Sequence, residues 1–127
     1  MVIQTKLELL KFEEMGMPPT CVAQPFVAKR RFFPGVYSDP IFDEGNTPVA
    51  GFSAMLNLFF NDEYLAPGVH EDHEGFFVVA GQGKMMLDDV EHILTPGSTM
   101  IVPAGVTHAI KKNGNEDLKI FIYHFPR

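Results

Sequence analysis

Gly97-Ser98-Thr99-Met100-Ile101-Val102-Pro103-Ala104-Gly105-Val106-Thr107-His108 is the stretch on which the reading of the chain turns. Ser98 to Val102 is an apolar run of strand length. It is stopped by Pro103, which has no backbone donor, and the chain is turned by the Pro-Ala-Gly triplet. Val106 to Lys111 then starts a second run of the same kind. Strand, tight turn, strand is the local pattern.

The pattern repeats in both directions. Upstream, Val49 to Phe60 reads as a strand with Ala54, Leu56, Leu58 and Phe60 on one face and Met55, Asn57 and Phe59 on the other. After the Asn61-Asp62-Glu63 turn come candidate strands at Tyr64 to His70 and Glu74 to Ala80. Gly81-Gln82-Gly83 leads into Lys84 to Leu87, and Asp88-Asp89 turns the chain into Val90 to Leu94. Downstream, Asn113-Gly114 is a two-residue hairpin signal, and Leu118 to Phe125 closes the series. Strands recurring about every 8–12 residues predict an all-β antiparallel sandwich or barrel. Phe76, Val78, Met86 and Phe121 are expected in its core or on a pocket wall. Residues 1–48 read differently: Leu7-Glu8-Leu9-Leu10 is a strand or one helical turn, and Pro18, Pro19, Pro25, Pro34, Pro40 and Pro48 exclude long helices. The expected organisation is one domain, with 49–127 as the barrel and 1–48 as short strands and loops that wrap it or reach a partner subunit.

Composition narrows the functional classes. The chain has 127 residues, 46% of them hydrophobic and twelve of them Phe, enough for one compact core. A net charge of −6, with Lys29-Arg30-Arg31 as the one basic cluster of note, argues against nucleic-acid binding. No window approaches the roughly 18 apolar residues of a membrane span, and the first residues lack the apolar core of a signal peptide. Cys21 is the single cysteine, so no intrachain disulfide forms, and it is expected as a small buried hydrophobe. A cytoplasmic setting is the expectation.

The chemistry concentrates in His70-Glu71-Asp72-His73-Glu74. A helical zinc motif would need its second histidine one residue later, and the aromatic and β-branched residues that follow favour a strand. On one straight strand His70 and Glu74 would stand about 13 Å apart, at about 3.3 Å per residue. They can share an ion only if Glu71-Asp72-His73 turns the chain.

With that demand stated, the spacing of the opening stretch brings a resemblance. Gly97, five residues, Pro103, one residue, Gly105, two residues, His108 resembles the second motif of the cupins. The Asn expected at 112 is replaced by Lys112, with Asn113 one place late. The first cupin motif is matched by His70, by Glu74 after three intervening residues, and by Gly81 after six more. Its first histidine falls on Gly68 and its opening glycine on Asp62. The resemblance covers about residues 50 to 125.

It implies a jelly-roll barrel, the double-stranded β-helix, whose mouth holds a divalent metal (Fe, Mn, Ni or Zn) on His70, Glu74 and His108. Two imidazoles and a carboxylate with open positions suit such ions on chemical grounds as well. Plainer alternatives stand beside each: a structural histidine at 108, an exposed turn residue at 70, a surface ion pair at 74. His73 and His124 are pocket residues or substitute ligands, His92 is an exposed residue, and Gly68 leaves a position open. Cupins include dioxygenases, isomerases, lyases and non-catalytic modules, and fold alone does not choose. The expectation is an enzyme on a small oxygen-bearing metabolite, with a non-catalytic ligand-binding module as the alternative and a homodimer as the assembly.

Overall fold

The structure is a computed structural model and describes residues 21–127. The segment Leu7–Leu10, Phe12, Pro18 and Pro19 therefore lie outside the described residues. Among the described residues a 3-10 turn, Val27–Lys29, precedes nine strands: β1 (Arg31–Phe33), β2 (Val36–Phe42), β3 (Ser53–Phe59), β4 (His73–Ala80), β5 (Gly83–Leu87), β6 (Val90–Leu94), β7 (Thr99–Val102), β8 (His108–Lys112) and β9 (Leu118–Phe125). No described helix is long and apolar enough to cross a membrane.

The strands form two antiparallel sheets, one in the order β1-β2-β3-β9-β4-β7 and one in the order β6-β5-β8. This is the jelly-roll barrel. Strand alternation sends Phe76 and Val78 of β4, Met85 of β5, Leu94 of β6, Val102 of β7, Ile110 of β8 and Leu118, Ile120 and Ile122 of β9 into one buried cluster between the sheets. The opposite face of β4 leaves Phe77 and Val79 exposed.

Several local expectations are corrected. Tyr64 to His70 is not a strand. Pro67 lacks a donor, and the segment pairs only through one bridge, Gly68 to His108. Asn113-Gly114 does not close a hairpin, because β8 pairs with β5 while β9 pairs with β3 and β4; the turn carries the chain from one sheet to the other. The two-residue hairpin is Asp88-Asp89, whose φ angles of 47° and 68° are the left-handed pair that a type I′ turn needs. Met85, not Met86, points into the core, Met86 lies on the wall of a small cavity beside Tyr64 and Leu65, and Phe121 packs outside against Tyr123. Cys21 is exposed, since it precedes every described strand.

The Pro-rich segment contributes β1 and β2 to the large sheet. Pro40 sits inside β2 at a register shift, where a missing amide is tolerated. Arg30 forks onto buried Asp39 at 2.7 and 2.9 Å and lies 3.9 Å from the Tyr37 ring centre. Its guanidinium thereby neutralises the buried carboxylate through two charge-assisted hydrogen bonds while remaining partly exposed itself.

Candidate metal centre

Three segments converge at one end of the barrel. Glu74 is the second residue of β4 and shares the inward face with Phe76 and Val78, so its carboxylate is buried. His108 opens β8 and is buried beneath the edge of the Phe76 ring. His70 stands in the irregular stretch before β4, where backbone hydrogen bonds replace a ladder. Gly68 N–H donates to His108 O at 2.8 Å, His108 N–H donates to Gly68 O at 3.0 Å, and Gly105 N–H donates to His70 O at 2.8 Å. The chain thus turns through Glu71 and Asp72, as a shared site demands.

His70 Nε2 lies 2.7 Å and His108 Nε2 3.3 Å from the same carboxylate oxygen, Glu74 Oε1. The three donor atoms all lie within 4.8 Å of one another. Those two separations are what ligands about 2.0–2.2 Å from a common ion would show. Yet Glu74 Oε1 is buried, and neither imidazole nitrogen beside it stands in hydrogen-bond geometry. The His108 ring explains part of this. Its Nδ1 lies 3.2 Å from Val106 O, and a carbonyl only accepts, so Nδ1 carries the proton and the neutral ring turns the Nε2 lone pair towards the carboxylate. A lone pair facing a buried carboxylate is unfavourable unless a positive charge stands between them. Either a proton on Nε2 or a cation meets that need. Burial alone would lower the His108 pKa; the Glu74 carboxylate and the Val106 carbonyl outweigh it and leave the value above the ordinary one. The donor set, the buried oxygen without a hydrogen bond and the oriented imidazole all fit a divalent cation.

The three residues form part of the wall of a cavity of about 420 Å³, whose other walls include Met55, Phe59, Phe76, Ile110 and Ile122. That size and apolar character suit a small organic ligand. Gly68 faces the same space: a Cβ there would lie 3.6 Å from His70 Nε2 and 3.7 Å from His108 Nε2. His124, paired in register with Glu74 across β9 and β4, also lines the cavity. Its Nδ1 is 3.2 Å from Asp72 Oδ1 and its Nε2 is 3.8 Å from Glu74 Oε2. His92 is exposed on β6, away from the site.

His73 takes a place that its neighbourhood in the sequence does not reveal. On the face of β4 opposite Glu74, its Nδ1 accepts a hydrogen bond from Ala104 N–H at 2.9 Å, and its ring packs 5.2 Å from Phe125. It stands outside the group of three converging donors. His73, expected as a pocket residue or substitute ligand, lines no part of that cavity, while Asp72, expected only in the turn, reaches His124. Their partners lie 31 and 52 residues away, and no local pattern encodes them.

Residues 63–124 match the family described as Cupin domain. No curated protein matches the chain significantly. Among solved structures, KdgF from Halomonas sp. is similar with 21% identity and a TM-score of 0.61, over 78% of this chain and 86% of that one. The cupin domain of Schizosaccharomyces pombe Cnp3 shows 15% identity and a TM-score of 0.67, over 78% and 69%. Hydroxypropylphosphonic acid epoxidase from S. wedmorenis shows 18% identity and a TM-score of 0.66, over 84% of this chain and 59% of that one. At these identities the likeness is one of fold. With the double-sheet barrel and the family match together, what this chain carries is a cupin domain.

Proposed function

We propose that His70, Glu74 and His108 bind one divalent metal ion, and that the protein is an enzyme acting there on a small oxygen-bearing metabolite, of dioxygenase, isomerase or lyase type. The observation that carries the reading is the buried Glu74 Oε1, without a hydrogen bond and flanked by two imidazole nitrogens at 2.7 and 3.3 Å. A divalent ion bound there would supply Lewis acidity towards an oxygen of the ligand.

The remaining work falls to the chain's own residues. Val106 O fixes the His108 tautomer. Phe76, Ile110 and Ile122 keep the inner end of the cavity apolar and exclude water from the bound molecule. His124, tethered by Asp72, presents its second ring nitrogen to the same space. Gly68 adds no donor, which leaves room beside the two histidines for water, substrate or O₂.

The assembly that fits this reading is a homodimer in a reducing, cytoplasmic setting. Phe77 and Val79 on the outer face of β4, with Ile101 on the neighbouring edge strand β7, form an exposed apolar surface.

The test compares His108→Ala with His92→Ala, each purified without chelator. Loss of metal only from the His108 variant is the expected result; equal loss from both would withdraw the assignment. Turnover by Fe(II)-, Mn(II)- or Ni(II)-loaded protein on a carbonyl, catechol and sugar panel tests the enzymatic part. Tight binding without turnover would make the protein a ligand-binding module instead.

A further inference from the structure

We propose that His73 is a positioning residue that locks together the two backbone segments bearing His70 and His108, acting as a hydrogen-bond acceptor through Nδ1. This rests on the metal-site reading given above, because it concerns how those two ligands are held in place.

The need for such a lock is visible in the fold. Glu74 sits within β4, which is paired on both sides by β7 and β9. The other two ligands have weaker support. His70 lies in no strand, and His108 begins β8 directly after the 103–107 turn. What joins these two segments is a short run of hydrogen bonds. The Gly68–His108 bridge supplies two of them, and the consecutive amides of Ala104 and Gly105 supply two more. Gly105 N–H reaches His70 O at 2.8 Å, and Ala104 N–H reaches His73 Nδ1 at 2.9 Å. Three of the four are backbone to backbone and tolerate any side chain. The fourth depends on the identity of residue 73.

The chemistry of position 73 is specific. Ala104 N–H is a donor, so Nδ1 must offer its lone pair, and in the neutral ring the proton sits on Nε2. The ring is also held by Phe125, its centroid 5.2 Å away with the planes tilted by 40°. Strand alternation turns this ring away from Glu74, so His73 contributes to the site only through the 103–107 turn. Partners that orient metal ligands change affinity by about 10–100-fold when removed, and the lower end suits a contact one step further out.

Asparagine and glutamine separate the acceptor from the ring. The Asn Oδ1 atom occupies the same place along the side chain as His Nδ1, whereas Gln Oε1 reaches one bond too far. The experiment measures Zn(II) affinity, by competition with a chromophoric chelator, for wild type, His73→Ala, His73→Asn and His73→Gln. Amide hydrogen exchange at Ala104 and Gly105 is followed in the metal-free proteins, with thermal melts as the folding control. His73→Ala and His73→Gln should bind Zn(II) about tenfold more weakly, with faster exchange at Ala104, while His73→Asn stays within about threefold of wild type. If Asn is as impaired as Ala, the ring and its Phe125 contact matter and the acceptor does not, which overturns the proposal. Wild-type affinity and wild-type exchange in all three variants overturn it too. Should wild type itself take up no Zn(II), the metal reading fails, and the Ala104 exchange rates alone then decide whether His73 holds the turn.

Discussion

Position 68 offers a sharp perturbation, because its surroundings allow both the stability and the binding effect to be worked out. Gly68 is not among the glycines with positive φ, so its backbone is open to any L residue. A Cβ placed there meets His70 Nε2 at 3.6 Å and His108 Cε1 and Nε2 at 3.7 Å, which are ordinary van der Waals distances. Gly68→Ala should therefore fold, and by restricting the unfolded chain it should gain about 0.4–1 kcal/mol, or roughly 2–4 °C in Tm. Gly68→His carries an imidazole nitrogen beyond that Cβ, towards the two existing ring nitrogens. It should bind Zn(II) at least tenfold more tightly, about 1.4 kcal/mol, and lose any activity that needs the open position. The assay is Zn(II) titration of chelator-stripped wild type, Gly68→Ala and Gly68→His, with thermal melts of the same samples. A fall of several degrees for Gly68→Ala would refute the backbone argument. A folded Gly68→His with wild-type affinity would show that position 68 does not look into the site.

Arg30→Ala should lower the urea midpoint clearly while Arg31→Ala leaves it near wild type, because only the former strands the buried Asp39 carboxylate; equal effects would contradict the pairing. Tyr64 donates to Glu91 at 2.9 Å, and partial burial followed by this bond raises its pKa from 10 to about 12. A raised folded-state value means the stabilisation is whole below pH 10 and is lost as pH rises through about 12, so wild type should lose stability over that window relative to Tyr64→Phe; parallel curves would refute it. Phe77→Glu, which charges the exposed apolar face of β4, should convert a dimer to a monomer in light scattering; a wild type that is already monomeric at tens of micromolar would remove the dimer proposal.

The strand pattern was legible where alternation and turn residues agreed. Leu118 to Phe125 and Val90 to Leu94 stand as β9 and β6 with the bounds the sequence suggested. It misled where one signal stood alone. Leu65 and Val69 give Tyr64–His70 an apolar spacing, but Pro67 leaves the segment without a ladder. Asn113-Gly114 favours a tight turn, yet the inward faces of β8 and β9 belong to different sheets, a long-range fact that no dipeptide carries. A shift of one residue also decided Met85 over Met86, since the side-chain period in a strand is two. At the site, motif spacing brought out His70, Glu74 and His108, whose donor atoms do converge. The contacts of His73 with Ala104 and of Asp72 with His124 arise only when β4 meets the 103–107 turn and β9.

The central claim is that three side chains from three segments make a single metal site, and elemental analysis of the purified protein tests it most directly. Protein prepared without chelator should carry close to one divalent ion per chain, and Glu74→Gln, which keeps the shape but removes the charge between the two imidazoles, should carry almost none. Wild-type protein without metal, or a Glu74→Gln variant with full occupancy, would contradict the account.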